Sequence, residues 1–135
     1  VYLGPRLPDR EDLAALAAAT ARGRHESQPD ASPRPGLLPE RKGGWSGTPA
    51  LVLRREGVPC NTNLSVSDWE AEGTAIAIHF ADRLAGVEVS LRWQIAVGDV
   101  VRAQTHLTNT GDGALEVERL AAMALPIPAR FTEVT

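Results

Sequence analysis

The sequence is short of cysteine, of aromatic residues and of long apolar runs. Cys60 is the only cysteine, which excludes an internal disulfide and a cysteine-rich metal site. No run of about 18 apolar residues exists, and this excludes a membrane-spanning helix. The first residues also lack the charged and then apolar pattern of a signal peptide. We therefore expect no membrane partner and no export.

Charge and aromatic content argue against a nucleic-acid partner. The formal net charge is −3, and the 14 basic residues are spread along the chain instead of forming a stripe. The three Trp, two Phe and one Tyr are not interleaved with arginines, as base stacking would require. Lys42 is the only lysine, and arginine and alanine are abundant; this pattern is typical of GC-rich bacterial codon usage.

The first predicted element is a short N-terminal helix over residues 10–19. Asp9 is the expected N-cap, Glu11 and Asp12 lie near the positive end of the helix dipole, and Gly23 can end the helix. Its apolar face is narrow, so we expect it to pack on a larger element. Residues 23–36 contain three prolines and no apolar periodicity, which predicts a loop.

Alternation of apolar and polar residues predicts β-strands over 76–81, 87–97, 100–108 and 115–125. The connections between them are short and rich in Gly, Asn and Asp, which indicates antiparallel meander pairing. Strands with one apolar face need a second layer. The sequence thus predicts an all-β fold, an antiparallel β-sandwich with one short N-terminal helix, as a single domain over residues 1–135.

Paired strands would gather polar side chains on one sheet face. We interpret this face as solvated, with cross-strand charge pairs, in preference to a ligand-binding face. The carboxylates at positions 68, 70 and 72 point the same way on one strand and do not form an acid/base pair across a cleft. The two histidines of this face, His79 and His106, lack a fixed short spacing, so no metal or cofactor is expected. The residues of the predicted polar face are His79, Glu88, Arg92, Gln94, Arg102, Gln104 and His106.

A glycine-flanked tryptophan is the best candidate for a sugar contact. Gly44 and Gly47 lie on either side of Trp45, and glycines let the backbone turn tightly and present the ring. Sugars stack their apolar face on aromatic rings. The alternative interpretation is a tryptophan that covers the edge of the sandwich.

Several segments, in order, resemble the N-terminal domain of family-36 glycoside hydrolases, the bacterial α-galactosidases. The similar segments are Tyr2-Leu3-Gly4-Pro5-Arg6-Leu7, Asp12-Leu13-Ala14-Ala15-Leu16, Leu37-Leu38-Pro39-Glu40 with Pro49-Ala50-Leu51, Asp82-Arg83-Leu84-Ala85-Gly86-Val87-Glu88-Val89, and Val101-Arg102-Ala103-Gln104 through Leu107-Thr108-Asn109-Thr110-Gly111. Together they extend over nearly the whole chain.

The resemblance implies a β-supersandwich that precedes a catalytic (β/α)₈ barrel, expected after residue 135. The catalytic carboxylates would lie on that barrel, so no catalytic residue is expected here. The intact enzyme would remove terminal α-linked galactose with retention, without a metal or cofactor. Its expected partners are its own barrel, further copies in a homo-oligomer, and α-galactoside oligosaccharides bound at the assembled site. A bacterial cytoplasmic location is expected.

In some family members a loop of this domain reaches the galactose pocket of a neighbouring subunit. That loop corresponds to residues 41–48, and Trp45 stands where many members have Asp. The substrate-binding residues implied by the resemblance are Glu40, Gly44, Trp45 and Gly47.

Two other functions stay open. One is a pure β-sandwich interaction module. The other is an independent carbohydrate-binding module that uses the polar face with Trp69 or Trp93. Trp93 shares a face with Val89 and Leu91, which places it in the predicted core.

Overall fold

A computed structural model of the chain describes Asp12, Ala14, Ala15 and residues 36–98 and 100–124. Residues 36–98 and 100–124 form one 3₁₀ helix and seven strands. The 3₁₀ helix is Arg41–Gly43, and the strands are β1 (Leu51–Arg55), β2 (Val58–Cys60), β3 (Ser65–Glu72), β4 (Ala75–Asp82), β5 (Val87–Ala96), β6 (Val100–Asn109) and β7 (Leu115–Leu120). Within this part of the chain, no helix has the length and apolar character needed to span a bilayer.

The strands form two antiparallel sheets. The larger sheet has the order β3-β4-β5-β6, so its strands pair in the order in which they occur along the chain. The smaller sheet has the order β2-β1-β7. The all-β sandwich and the meander of β4, β5 and β6 are therefore confirmed.

The core lies between the two sheets. Leu53 of β1 is 2% exposed, and Val87, Val89 and Leu91 of β5 are at most 1% exposed. These side chains belong to one buried cluster, which also contains Phe80 of β4. Burial of each such side chain contributes about 1.5–3 kcal/mol, so β1 and β5 hold the two layers together.

The final strand differs from the prediction. The sequence predicts a strand over 115–125 that continues the meander, but β7 ends at Leu120 and pairs with β1 in the other sheet. The alternating pattern of residues 115–120 fits an antiparallel strand in either layer, so the pattern could not choose the sheet. The crossover at residues 110–114 carries the chain from one layer to the other.

One end of the large sheet is left uncovered on its apolar side. Trp93 is half-buried instead of being a core residue, and Ile95 is 55% exposed. Val97 lies beyond the end of β5 and is fully exposed. The smaller sheet has fewer and shorter strands, so it covers only part of the β5 face. The prediction that Trp93 lies in the core is therefore wrong, because the second layer does not extend to this end.

Two turns touch where Gly86 meets Gly111. A Cβ atom on Gly86 would lie 2.6 Å from the Gly111 Cα atom, and Gly86 has a φ of 63°. The backbone N–H groups of Thr110 and Gly111 both donate to the Gly86 carbonyl at 2.9 Å. The Arg55 guanidinium, from the smaller sheet, donates to the carbonyls of Ala85 (3.0 Å) and Gly86 (3.3 Å). Arg55 therefore ties the smaller sheet to these turns of the larger one.

The predicted N-terminal helix falls mostly outside the described residues. Ala14 and Ala15 are helical, and their N–H groups both donate to Asp12 Oδ1 at 3.0 Å. This is the hydrogen-bond pattern of an N-cap, so Asp12 acts as a cap here. Asp9, the predicted cap, lies outside the described residues.

Candidate functional site

Residues 44–48, called the Trp45 loop below, follow the 3₁₀ helix and precede β1. Gly44 has a φ of 83°, and its N–H donates to the Arg41 carbonyl at 3.0 Å. A left-handed conformation at this position is one that glycine adopts without steric cost. The Trp45 N–H then donates to the Glu40 carbonyl at 3.3 Å. Gly44 thus redirects the chain out of the 3₁₀ helix and places Trp45 in the loop.

The Trp45 ring packs on the backbone of Gly47. A Cβ atom at position 47 would lie 2.7–2.9 Å from three ring atoms, which is closer than Cβ atoms approach other atoms in protein structures. The indole Nε1–H donates to the Thr48 carbonyl at 3.0 Å. The side chain is therefore oriented by its own loop and is half-buried, while Gly44, Gly47 and Thr48 are exposed.

Glu40 has a structural contact that the sequence did not indicate. Its carboxylate oxygens accept the Leu64 N–H at 3.0 and 3.3 Å. The backbone of Glu40 supports Trp45, while its side chain fixes the segment that leads into β3. Three of the four predicted site residues, Gly44, Trp45 and Gly47, are in the Trp45 loop, whereas Glu40 precedes the 3₁₀ helix and its carboxylate accepts the Leu64 N–H.

A cleft of about 760 Å³ lies beside the 3₁₀ helix. Its volume is within the usual range for small-molecule sites, about 300–1,000 Å³. The described residues that line it are Glu40, Arg41, Lys42, Pro49, Leu51, Val52, Leu53, Pro59, Cys60, Asn61 and Thr62. Of the predicted site residues, only Glu40 belongs to this lining, and the Trp45 ring is not part of it.

Asp82 holds the backbone of Asn63, next to the Leu64 residue that Glu40 contacts. This carboxylate is 8% exposed and accepts N–H groups from Asn63 (2.7 Å), Leu84 (2.9 Å) and Ala85 (3.1 Å). Burial raises the pKa of Asp82, but the three backbone hydrogen bonds and the positive charge of Lys42 outweigh it, and the pKa is lowered overall. Asp82 is therefore a fixed anion that supports the turn between β4 and β5.

The predicted polar face is present on the large sheet. Arg92 pairs with Ala77 on one side and Gln104 on the other, while Ser90 lies between His79 and His106. Glu70 of β3 extends the same row as Arg92. The predicted face residues are thus together, and β3 adds carboxylates that the prediction had treated apart.

No group of three or more His, Cys, Asp or Glu in the described ranges could hold a metal ion. His79 and His106 are on β4 and β6 with Ser90 of β5 between them. Adjacent strands are already about 4.8 Å apart. The separation of the two histidines by two strands therefore explains why they do not form part of such a group. Cys60 is half-buried at the end of β2.

The structure has two antiparallel layers, a buried core between them and an ordered loop at one end. This architecture defines the class of protein as an all-β sandwich. The comparison with protein families agrees with this architecture. The model of the "Glycosyl hydrolase family 36 N-terminal domain" matches residues 1–135, the whole chain, and the chain belongs to this family. Searches of curated proteins and of solved structures found no significant match.

Proposed function

We propose that this chain is the non-catalytic N-terminal domain of an α-galactosidase-like retaining glycoside hydrolase. The observation that carries the proposal is the family match over residues 1–135. In this role the domain packs on a catalytic barrel, supports oligomerisation and contributes the Trp45 loop to the galactose pocket of the assembled enzyme.

The geometry of the Trp45 loop supports the last of these roles. The lack of a side chain at Gly47 allows the ring to lie close to the backbone there, and the hydrogen bond from Nε1 to the Thr48 carbonyl fixes its orientation. A preoriented aromatic ring loses little conformational entropy on binding. It also presents the kind of π-surface on which a sugar stacks.

The uncovered end of the large sheet supports the packing role. Ile95 is 55% exposed, and Val101, which pairs with it on β6, is 43% exposed; the half-buried Trp93 lies on the same side of β5. Exposed apolar groups clustered at one end of a sheet are typical of protein interaction sites. A catalytic barrel of the same polypeptide is a partner of the expected kind.

The experiment is hydrolysis of a chromogenic α-galactoside by this chain and by the longer protein that contains it. We expect activity in the longer protein only. Trp45→Ala in the longer protein should raise KM for the galactoside, because stacking contributes to binding. Leu84→Ala, which removes a fully exposed apolar side chain from the turn between β4 and β5, is the control and should leave KM unchanged. An inactive longer protein, with its barrel folded, would contradict the α-galactosidase assignment.

A second function is an independent carbohydrate-binding or interaction module. The exposed indole of Trp69 and the cleft beside the 3₁₀ helix favour it. Titration of this chain with α- and β-linked oligosaccharides separates the two proposals. Binding by the isolated chain that is lost in Trp69→Ala supports the module, whereas no binding contradicts the carbohydrate-binding form of it.

A further inference from the structure

Both edges of the large sheet are open in the part of the chain that the structure describes. β3 pairs with β4 alone and β6 pairs with β5 alone. All eight residues of β3 are exposed. An edge strand presents unpaired backbone N–H and C=O groups, which are a template for pairing with another strand.

The two edges carry opposite charge on the same face. On the outer face, β3 presents Asp68, Glu70 and Glu72. The cross-strand rows of the sheet place Arg102, Gln104 and His106 of β6 on that face too. One edge is therefore a row of carboxylates, and the other is a row of donors that includes a permanent cation.

The charges disfavour a symmetric pair of like edges. Antiparallel pairing of β3 with β3 of a second copy, centred on Glu70, would place Glu70 opposite Glu70 and Asp68 opposite Glu72. Like charges directly opposite each other destabilise a strand pair. The β3 carboxylates therefore act against two-fold pairing of this edge.

We propose that β3 of one copy pairs antiparallel with β6 of the next, so that the large sheet continues from copy to copy. β3 and β6 already run antiparallel within the sheet, because three antiparallel pairings separate them. A register that places Glu72 opposite Arg102 also places Glu70 opposite Gln104 and Asp68 opposite His106. These three outer-face pairs are of opposite charge or complementary hydrogen-bonding character.

The same register keeps the apolar side continuous. Trp69 comes opposite Thr105, and Ala71 comes opposite Ala103. Because side chains alternate strictly along a strand, a shift by one residue would bring carboxylates to the apolar side and lose both matches. Trp69 of one copy is then diagonally next to Ala103 and Leu107 of the other, which lie on the apolar side of β6.

The contact is head-to-tail, so copies add until a ring closes or a filament forms. It deepens the oligomerisation part of the proposed function. The contact between β3 and β6 depends only on the edges of the large sheet, so it can be tested on this chain without any measurement of hydrolysis.

The experiment follows association by sedimentation velocity as a function of concentration, with charge-reversal variants. Glu72→Arg and Arg102→Glu should each weaken association by about 3- to 30-fold, since each change turns an attraction into a repulsion. The double variant should associate like the original chain. An equimolar mixture of the two single variants should recover association, because the β3 edge made basic in one variant then meets the β6 edge made acidic in the other.

Glu116→Arg is the matched control, since it makes the same charge change on an exposed position of β7 in the smaller sheet. It should leave association unchanged. Circular dichroism checks that all variants are folded. A chain that is monomeric at millimolar concentration overturns the proposal. Association that is insensitive to Glu72→Arg overturns it too, and assigns the contact to the apolar end or to another part of the chain. Failure of the mixture to recover association excludes the head-to-tail arrangement.

Discussion

Gly86→Ala should destabilise the fold far more than an equivalent glycine replacement elsewhere. Gly86 has a φ of 63°, and a Cβ atom there would meet Gly111 Cα at 2.6 Å and Gly111 N at 2.9 Å. These neighbours are backbone atoms, so the clash cannot be relieved by rotation of a side chain. The two turns would have to separate, and their hydrogen bonds to the Gly86 carbonyl would lengthen or break.

Gly57→Ala is the matched control. Gly57 has a φ of 77° in the two-residue turn between β1 and β2, and nothing lies within 4 Å of its virtual Cβ atom. It therefore incurs only the left-handed backbone penalty, about 1–2 kcal/mol. Gly86→Ala adds the loss of up to two hydrogen bonds, about 0.5–1.5 kcal/mol each. We expect a total of about 2–5 kcal/mol, which is a large part of an ordinary domain's stability.

Urea unfolding, followed by tryptophan fluorescence and circular dichroism, measures the difference. With a slope of about 1–3 kcal/mol per molar urea, the midpoint of Gly86→Ala should lie roughly 1 M below that of Gly57→Ala. Equal midpoints for the two variants would refute the argument, because they would show that the turns separate without loss of stability.

Two further predictions concern Asp82 and the Trp45 loop. Asp82→Asn should destabilise the fold by about 1–3 kcal/mol at neutral pH, because backbone N–H groups lose a charged acceptor. The folded pKa of Asp82 is below its ordinary value of 3.8, so its contribution is complete above that pH and is lost as the pH falls through the folded pKa. Urea midpoints at pH 7 and pH 3 should therefore differ less for Asp82→Asn than for the original chain; an equal pH dependence would contradict the assignment. Gly47→Ala should displace the Trp45 ring and change the near-ultraviolet circular dichroism, whereas Gly36→Ala, with nothing within 4 Å of its virtual Cβ atom, should leave the spectrum unchanged.

Strands β4 to β6 of the larger sheet were predictable because they are local in sequence. Alternation along β5 identifies Val87, Val89 and Leu91 as core residues, and short turns leave β4 and β6 little choice of partner. The register then follows, which explains why the predicted polar face is present. The placement of β7 was not predictable in this way, because its pairing with β1 joins residues that are 60 or more positions apart.

The candidate loop was only partly predictable. The glycines around Trp45 indicated a tight turn, and the structure has one at Gly44. The bonds from Glu40 to Leu64 and from Asp82 to Asn63 join segments that are 24 and 19 residues apart. No short motif encodes such contacts. The Glu40 carboxylate was therefore predicted to bind ligand, whereas in the structure it accepts the Leu64 N–H. The lining of the cleft by Asn61 and Thr62 was missed for the same reason.

The contact between Gly86 and Gly111 limits how this domain can diverge. Each glycine is already the smallest residue available, so a substitution at one position cannot be compensated by a smaller residue at the other. The Trp45 and Gly47 pair is different, because replacing the ring with a small side chain makes room for a Cβ atom at position 47. Substitutions are therefore not tolerated where the two turns meet, whereas paired substitutions remain possible in the Trp45 loop. A single fold can in this way keep its frame constant while the loop changes from one relative to the next.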